Sequence, residues 1–289
     1  MVNNKPGVLG VLHSTLKKLA KIPNGYEIYT GIINELIAKN FAAEIDDSIV
    51  EDHINEGKPV FYMAHQMVEN PANKSTPIRC VSNSSQRYKG FSLNSSCHKG
   101  LDVVNNMMAI ILRFREAEVA SQGDVSKMFY QVRVKKEDRM MQLFLMKFLG
   151  EDKVCTFAMN VLIMGHKPSS NLAIIALKET GNLKDFPEKY PKARGALQED
   201  SFVDNIFMLD NSIEDVLEGI KQVENISAQG GFKYKPWMIS GQSQEDDTGE
   251  VKIMPHSPDG EDEKAVGLGW RILEDDINTA PGVNFSTKK

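Results

Sequence analysis

No stretch of this sequence is apolar for long enough to make a membrane-crossing helix. The most apolar run, Met107 to Leu112, falls far short of the ~20 residues a bilayer requires. Residues Met1 to Gly10 lack the basic-then-apolar order of a secretory leader. Cysteine is scarce: Cys80, Cys97 and Cys155 are widely spread and form no Cys-x-x-Cys pair. That spacing argues against a zinc or dithiol site and for three reduced structural thiols inside a cell. Internal repeats and long low-complexity tracts are absent as well.

What remains is an ordinary globular composition, 41% hydrophobic and 25% charged over 289 residues, which predicts a buried core in one large domain or two modest ones. The net charge of −5 hides an asymmetry. Between Phe61 and Arg139 there are 12 Lys and Arg against 7 Asp and Glu. A basic surface can track phosphate on an acidic chain, because the field is local to about one Debye length, ~8–10 Å. A solvated mixed-charge face accounts for the same numbers, and charge alone does not choose.

Apolar spacing predicts helices over His13–Lys21, closed by Pro23-Asn24-Gly25, and over Tyr26–Asn40, with Tyr29, Ile32, Ile33, Leu36 and Ile37 on one side. Lys58–Val68 and Ile78–Ser82 read as a strand pair around a turn at Pro71-Ala72-Asn73-Lys74. Asp102 is the expected cap of a helix reaching about Glu118, with Val104, Met107, Met108, Ile111 and Leu112 as its buried stripe and the methionines as core filling. Val119–Val134 reads as strand, turn and short helix, Gln142–Met146 and Val154–Met159 as strands, and Ser169–Glu179 as a helix. Ser212 with Asp215 resembles a capping box for a helix burying Val216, Leu217, Ile220, Val223 and Ile226 and ending at Gly230-Gly231. Gly241–Lys264, with 8 acidic residues against 2 lysines, is the expected exposed loop. Helices and strands mix without regular alternation, so the fold class is α+β.

Two places set carboxylates beside strands: Asp124 in Gly123-Asp124-Val125-Ser126-Lys127-Met128-Phe129, and Asp204 in Phe202-Val203-Asp204-Asn205-Ile206. The second reads as a hairpin turning at Asp204-Asn205, since both residue types tolerate positive φ. Carboxylates there could hold Mg²⁺ for two-metal phosphoryl transfer, because hard cations take few protein oxygens and share the rest with phosphate. A tight turn alone is an adequate structural account of the pair.

Several segments in order carry a resemblance. Phe61-Tyr62-Met63-Ala64-His65-Gln66-Met67-Val68 is similar to Tyr-Leu-Pro-His-His-x-Val, and Arg79-Cys80-Val81-Ser82-Asn83-Ser84-Ser85 to Arg-Val-Val-Phe-Asp-x-Ser. Tyr88 to Asn94 resembles Gly-x-Ser-Leu-Asn, and Leu112-Arg113-Phe114-Arg115 matches Leu-Arg-Phe-Arg. Asp124 to Val132 matches Asp-Ile-x-x-Met-Phe-x-Gln-Val, and Phe202-Val203-Asp204-Asn205 stands where Tyr-Val-Asp-Asp belongs. Gly230-Gly231-Phe232 with Trp237, and Val266-Gly267-Leu268-Gly269-Trp270, complete the series. Together, over Tyr26 to Asp276, they resemble the reverse transcriptase domain of a Pao/BEL-type retrotransposon polyprotein.

The resemblance implies a right-hand polymerase fold, with fingers and an antiparallel palm sheet backed by helices over 26–272. An N-terminal helical segment over 1–25 would precede it. Residues 273–289 would be a tail or the start of a truncated thumb. It implies Asp124 and Asp204 as metal-binding carboxylates for Mg²⁺ or Mn²⁺, with Asn205 beside them and Val125 giving a backbone carbonyl. Arg79 would contact the incoming dNTP, a task suited to a guanidinium; a surface arginine ending a strand is the plainer account. Phe129 would be the gate against a 2′-hydroxyl, and a core aromatic explains it equally. Gly165 would be the tight glycine before the helix under the templating base pair, and Trp270 would sit in the primer grip. The implied partners are an RNA template, a DNA primer and other polyprotein domains, with no membrane. The implied location is the cytoplasm or a virus-like particle.

The chain also departs from the pattern. Asn205 replaces the second hairpin aspartate; losing that charge by roughly 3–5 kcal/mol of transition-state stabilisation would slow the reaction on the order of 10²–10⁴. Asn83 stands for aspartate and Ser169-Ser170 for Ser-Pro. Pro236 replaces the lysine before tryptophan, leaving Lys235, one position earlier, as the candidate proton donor to pyrophosphate. These changes point to an impaired polymerase or to a non-catalytic, nucleic-acid-binding descendant.

Overall fold

The structure is a computed structural model that describes residues 3–69, 78–183 and 186–240, and the backbone of three strands between 263 and 278. Along the chain run helices α1 (Lys5–Leu19) and α2 (Gly25–Ala38), strand β1 (Ala42–Glu44), helix α3 (Asp47–Asn55), and strands β2 (Ala64–Glu69) and β3 (Ile78–Asn83). Helices α4 (Leu93–Ser96) and α5 (Met107–Glu116) follow, then β4 (Val119–Asp124), α6 (Met128–Gln131), a 3₁₀ turn (Lys136–Met141), β5 (Leu143–Met146) and β6 (Cys155–Met159). Next come α7 (Ser169–Thr180), α8 (Phe186–Lys189), α9 (Pro191–Gln198), β7 (Ser201–Phe202), β8 (Asn205–Asp210) and α10 (Ile213–Gln229). Strands β9 (Met238–Ile239), β10 (Glu263–Ala265), β11 (Leu268–Arg271) and β12 (Asp276–Asn278) close the series. Among the described residues no helix is long and apolar enough to cross a membrane.

The chain forms two compact units, Met1–Leu101 with Phe129–Ala173, and Asp102–Met128 with Ile174–Lys289. In the first, β2 and β3 form an antiparallel hairpin, and β1, β6 and β5 form an antiparallel sheet in that order. Its core gathers Leu12, Tyr29, Ile33, Phe61, Tyr62, Met63, Phe144 and Phe157. Helix α1 starts at Lys5, not at His13, because Pro6 falls in its first turn, where a missing N–H costs nothing. Asn4, buried, joins it to the core by exchanging two hydrogen bonds with the backbone of Tyr62, at 2.7 and 2.9 Å.

The second unit is built on an antiparallel sheet of order β7-β8-β4-β9. Helix α10 packs on β8 and β4 so closely that a Cβ on Gly219 would overlap the Met208 sulfur. Ser212 accepts from the Asp215 N–H at 3.1 Å and donates to its carboxylate at 2.7 Å, which starts α10 as the capping pattern predicts. Leu217 lies beside the buried face formed by Val216, Ile220, Val223 and Ile226.

Helix α5 corrects the sequence reading. Its cap is Asn106, which accepts from the Ala109 N–H at 3.2 Å, and not Asp102. Its buried residues are Ile110 and Phe114, which pack with Ala120 and Phe207, while Met108 and Leu112 are 63% and 57% exposed. The helix carries apolar residues on two faces, and the aromatic pair Phe114–Phe207, edge to face at 5.8 Å, decides which one is covered. The turn expected at Pro71–Lys74 and most of the expected acidic loop lie outside the described residues; Glu263 and Lys264, at that loop's end, belong to β10.

Candidate active site

Strand β4 ends at Asp124, and every element around it fixes where that carboxylate goes. Its neighbour β8 runs antiparallel, with Asp124 opposite Asn205 and Gln122 opposite Phe207. The last rung is closed by the Val125 N–H, which donates to the Asp204 carbonyl at 2.8 Å. This single hydrogen bond sets the two aspartates side by side at the same end of the sheet. The charge of one is felt at the other. Burial raises the Asp204 carboxyl above the usual carboxylate range, its own backbone N–H lowers it, the Asp124 charge raises it, and Lys235 lowers it.

The hairpin turns one residue earlier than its sequence suggests. Phe202 pairs with Asn205, so the two-residue loop is Val203-Asp204, and Asn205 is the first residue of β8. The positive φ falls on Val203, at 55°. A lone positive φ at the first loop position has the sign pattern of a type II′ turn, where glycine is normal. A β-branched residue there is strained. The register imposes it: with Phe202 paired to Asn205, Val203 is the first loop residue.

On the other side of β4, the chain after α10 is drawn along the strand. The Ser126 N–H donates to the Lys233 carbonyl at 2.7 Å, and the Lys235 N–H to the Asp124 carbonyl at 2.9 Å. The fully buried Trp237 anchors this run, its Nε1 donating to Glu224 at 3.0 Å. Lys235 is thereby fixed beside Asp124, and its Nζ lies 3.0 Å from Asp124 Oδ1. Asn205 is held too, its Oδ1 accepting from Gln122 Nε2 at 3.2 Å.

The fold matches solved structures. A foamy viral protease-reverse transcriptase in complex with double-stranded DNA is similar over 72% of this chain and 30% of its own, with a TM-score of 0.52 at 14% identity. A prototype foamy virus protease-reverse transcriptase mutant is similar over 74% and 24%, with a TM-score of 0.51 at 13% identity. The chain has a reverse-transcriptase-like fold. It spans less than a third of the length of either structure. No family model matches the sequence, and neither does any curated protein.

The resemblance carried by the sequence motifs implies a divalent cation at this sheet end, and the donor set fits it in part. Asp124 and Asp204 offer hard oxygens at one place. Among the described residues, however, no three or more His, Cys, Asp or Glu side chains gather as ligands. Asn205 contributes an amide in place of a charge. The set suits one divalent ion better than two.

Three further sequence candidates lie in the first unit. Arg79 sits on β3 opposite Val68, its side chain exposed. Gly165, at φ 88°, turns tightly against the same strand, and a Cβ there would lie 3.3 Å from the Ser82 carbonyl. Phe129, in α6, is half-buried. Trp270, in the second unit, lies on β11 opposite Ile277 and Glu263; its side chain lies outside the described residues.

Two supporting side chains were given no role in the sequence reading, although Asn94 closes one of its motif segments. Gln122, buried mid-strand and two residues from Asp124 on the same face, was detectable as a polar residue with no apolar alternation around it. Asn94 donates to the Gly165 carbonyl at 2.9 Å and to Ser85 at 2.8 Å, and it accepts from the Lys167 N–H at 2.8 Å. It clasps the glycine turn to the end of β3, and no local pattern marks such a link across 71 residues.

Proposed function

We propose that this chain is the polymerase module of a reverse transcriptase of the Pao/BEL retrotransposon type, impaired in catalysis, which binds an RNA template and a DNA primer. The observation that carries the reading is the Val125–Asp204 hydrogen bond. It brings the two aspartates together at the end of the central strands of a reverse-transcriptase-like fold.

Asp124 and Asp204, with the Val125 carbonyl, would hold Mg²⁺ or Mn²⁺, which supplies Lewis-acid stabilisation of the charge developing on phosphate. The chain's own groups do the rest. The exposed guanidinium of Arg79 pairs with the triphosphate of a dNTP. Phe129 screens against a 2′-hydroxyl, and the bare backbone of Gly165 admits the template. Lys235, beside Asp124, would be the proton donor to pyrophosphate. Location in the cytoplasm or a virus-like particle, and partnership with other polyprotein domains, follow from the retrotransposon reading.

Primer extension on a homopolymer RNA template tests it. The wild-type chain is expected to extend slowly or not at all, and Asn205→Asp to raise the rate about 10²-fold or more. The Gln122 amide can donate to an aspartate as it does to Asn205, so the variant fits the site. No extension and no hybrid binding by either protein would sink the proposal.

A second reading, a non-catalytic nucleic-acid-binding descendant, is favoured by the two occupied oxygens: Asp124 Oδ1 faces Lys235 and Asn205 Oδ1 faces Gln122. It predicts salt-sensitive hybrid binding with no extension even by Asn205→Asp.

A further inference from the structure

The geometry points to Lys235 as a resident counter-ion that competes with divalent cations for the Asp124 carboxylate. The inference rests on the reading of Asp124 and Asp204 as cation ligands and adds what regulates that site.

Three features build it. The ammonium lies 3.0 Å from Asp124 Oδ1, at ion-pair distance. The lysine main chain is held at this place, because the Lys235 N–H donates to the Asp124 carbonyl at 2.9 Å and the chain is anchored two residues later by buried Trp237. Third, Asn205 leaves the sheet end with two carboxylates. One ammonium beside them leaves a single net negative charge, too little to hold two divalent ions and enough to attract one.

The competition is reversible. The Lys235 side chain is 56% exposed and that of Asp124 34%, so the pair is of the weak, solvent-screened kind. A cation entering at Asp124 displaces the ammonium into solvent on its own four-carbon stem. Cation entry and lysine release are therefore coupled: ammonium and cation would each weaken the other's hold on Asp124.

The experiment is a titration of the full chain with Mn²⁺ alone, free Mn²⁺ being read by electron paramagnetic resonance with no nucleotide or nucleic acid present. Removing a unit charge a few ångströms from a divalent ion is expected to tighten binding about tenfold in Lys235→Met. Lys235→Arg, which keeps the charge, should stay near the wild type. Asp124→Asn should weaken binding and abolish the effect of Lys235→Met, which the double variant tests directly. Equal affinity of Lys235→Met and wild type, with Asp124→Asn still weakened, would overturn the competition while leaving the cation site standing. Binding unaffected by Asp124→Asn would instead overturn the site itself.

Discussion

The indole of Trp237 lies so close to Gly123 that a Cβ on that glycine would fall 2.7 Å from three ring atoms. The same ring packs at 5.2 Å on Tyr234, whose hydroxyl is 2.9 Å from Ser227 in α10. Glycine before Asp124 is therefore a packing requirement, and it lets the Lys233–Lys235 run approach β4. Gly123→Ala is expected to cost about 1–3 kcal/mol, typical of overpacking. Urea denaturation measures it, and a variant as stable as the wild type would show that the indole can move aside.

That contact also shows what was legible in the sequence. Gly-Gly-Phe and Trp237 could be read as a unit, as could Asp124 and Phe202 to Asn205, because each is a short run with its own pattern. The α+β class and most strands followed from apolar spacing. What could not be read was which partner each residue meets. The rotation of α5 depends on Phe207, far along the chain. The one-residue shift of the hairpin follows the pairing of Asn205 with Phe202 and Asp124, not the turn preferences of Asp204 and Asn205. The pairing of Lys235 with Asp124 depends on the anchor at Trp237.

Val203 occupies the position where a two-residue hairpin normally has glycine, at φ 55°. Its Cβ branch makes that backbone costly. Val203→Gly relieves the strain, part of the gain being offset by the extra freedom of glycine in the unfolded chain. The expected net result is stabilisation of about 0.5–1 kcal/mol, read as a higher denaturation midpoint. A lower midpoint would mean that the valine side chain contributes packing that outweighs its backbone.

Asp204 predicts how stability at the candidate site responds to pH. Its carboxyl is raised in the folded state, chiefly by burial, so the native chain holds a proton that the unfolded chain gives up sooner. Stability then falls as pH rises through the interval from the ordinary aspartate value of 3.8 to the raised one. Above that interval the buried carboxyl is a liability that Asp204→Asn removes, and that variant is expected to melt higher at pH 7. The advantage should vanish below pH ~4, where both forms are neutral. Added Mn²⁺ should narrow the gap by stabilising the wild type more than the variant. A lower melting temperature for Asp204→Asn at pH 7 would show that the amide breaks hydrogen bonds worth more than the charge costs.

In the first unit, Tyr29 and His65 make a buried relay that predicts acid sensitivity. His65 Nε2 lies 2.7 Å from the Leu145 carbonyl, which can only accept, so that nitrogen carries the proton. Nδ1 then accepts from the Tyr29 hydroxyl at 2.5 Å, and the Cys80 thiol donates to the same hydroxyl at 3.2 Å. Burial pushes the Cys80 thiol up to about 11, so it stays a thiol. Burial also holds His65 below its ordinary 6.5, while its bond to Leu145 acts in the opposite sense. The unfolded chain therefore takes up a proton first, and stability is expected to fall as pH drops below about 6.5. Tyr29→Phe removes the hydroxyl that joins them, leaving Nδ1 and the thiol only their 3.8 Å contact with each other, and should cost about 1–3 kcal/mol. His65→Asn should lower stability at pH 7 and flatten the fall between pH 7 and 5 relative to the wild type. Denaturation at several pH values reads both effects; a His65→Asn profile parallel to the wild type's would place the acid sensitivity elsewhere.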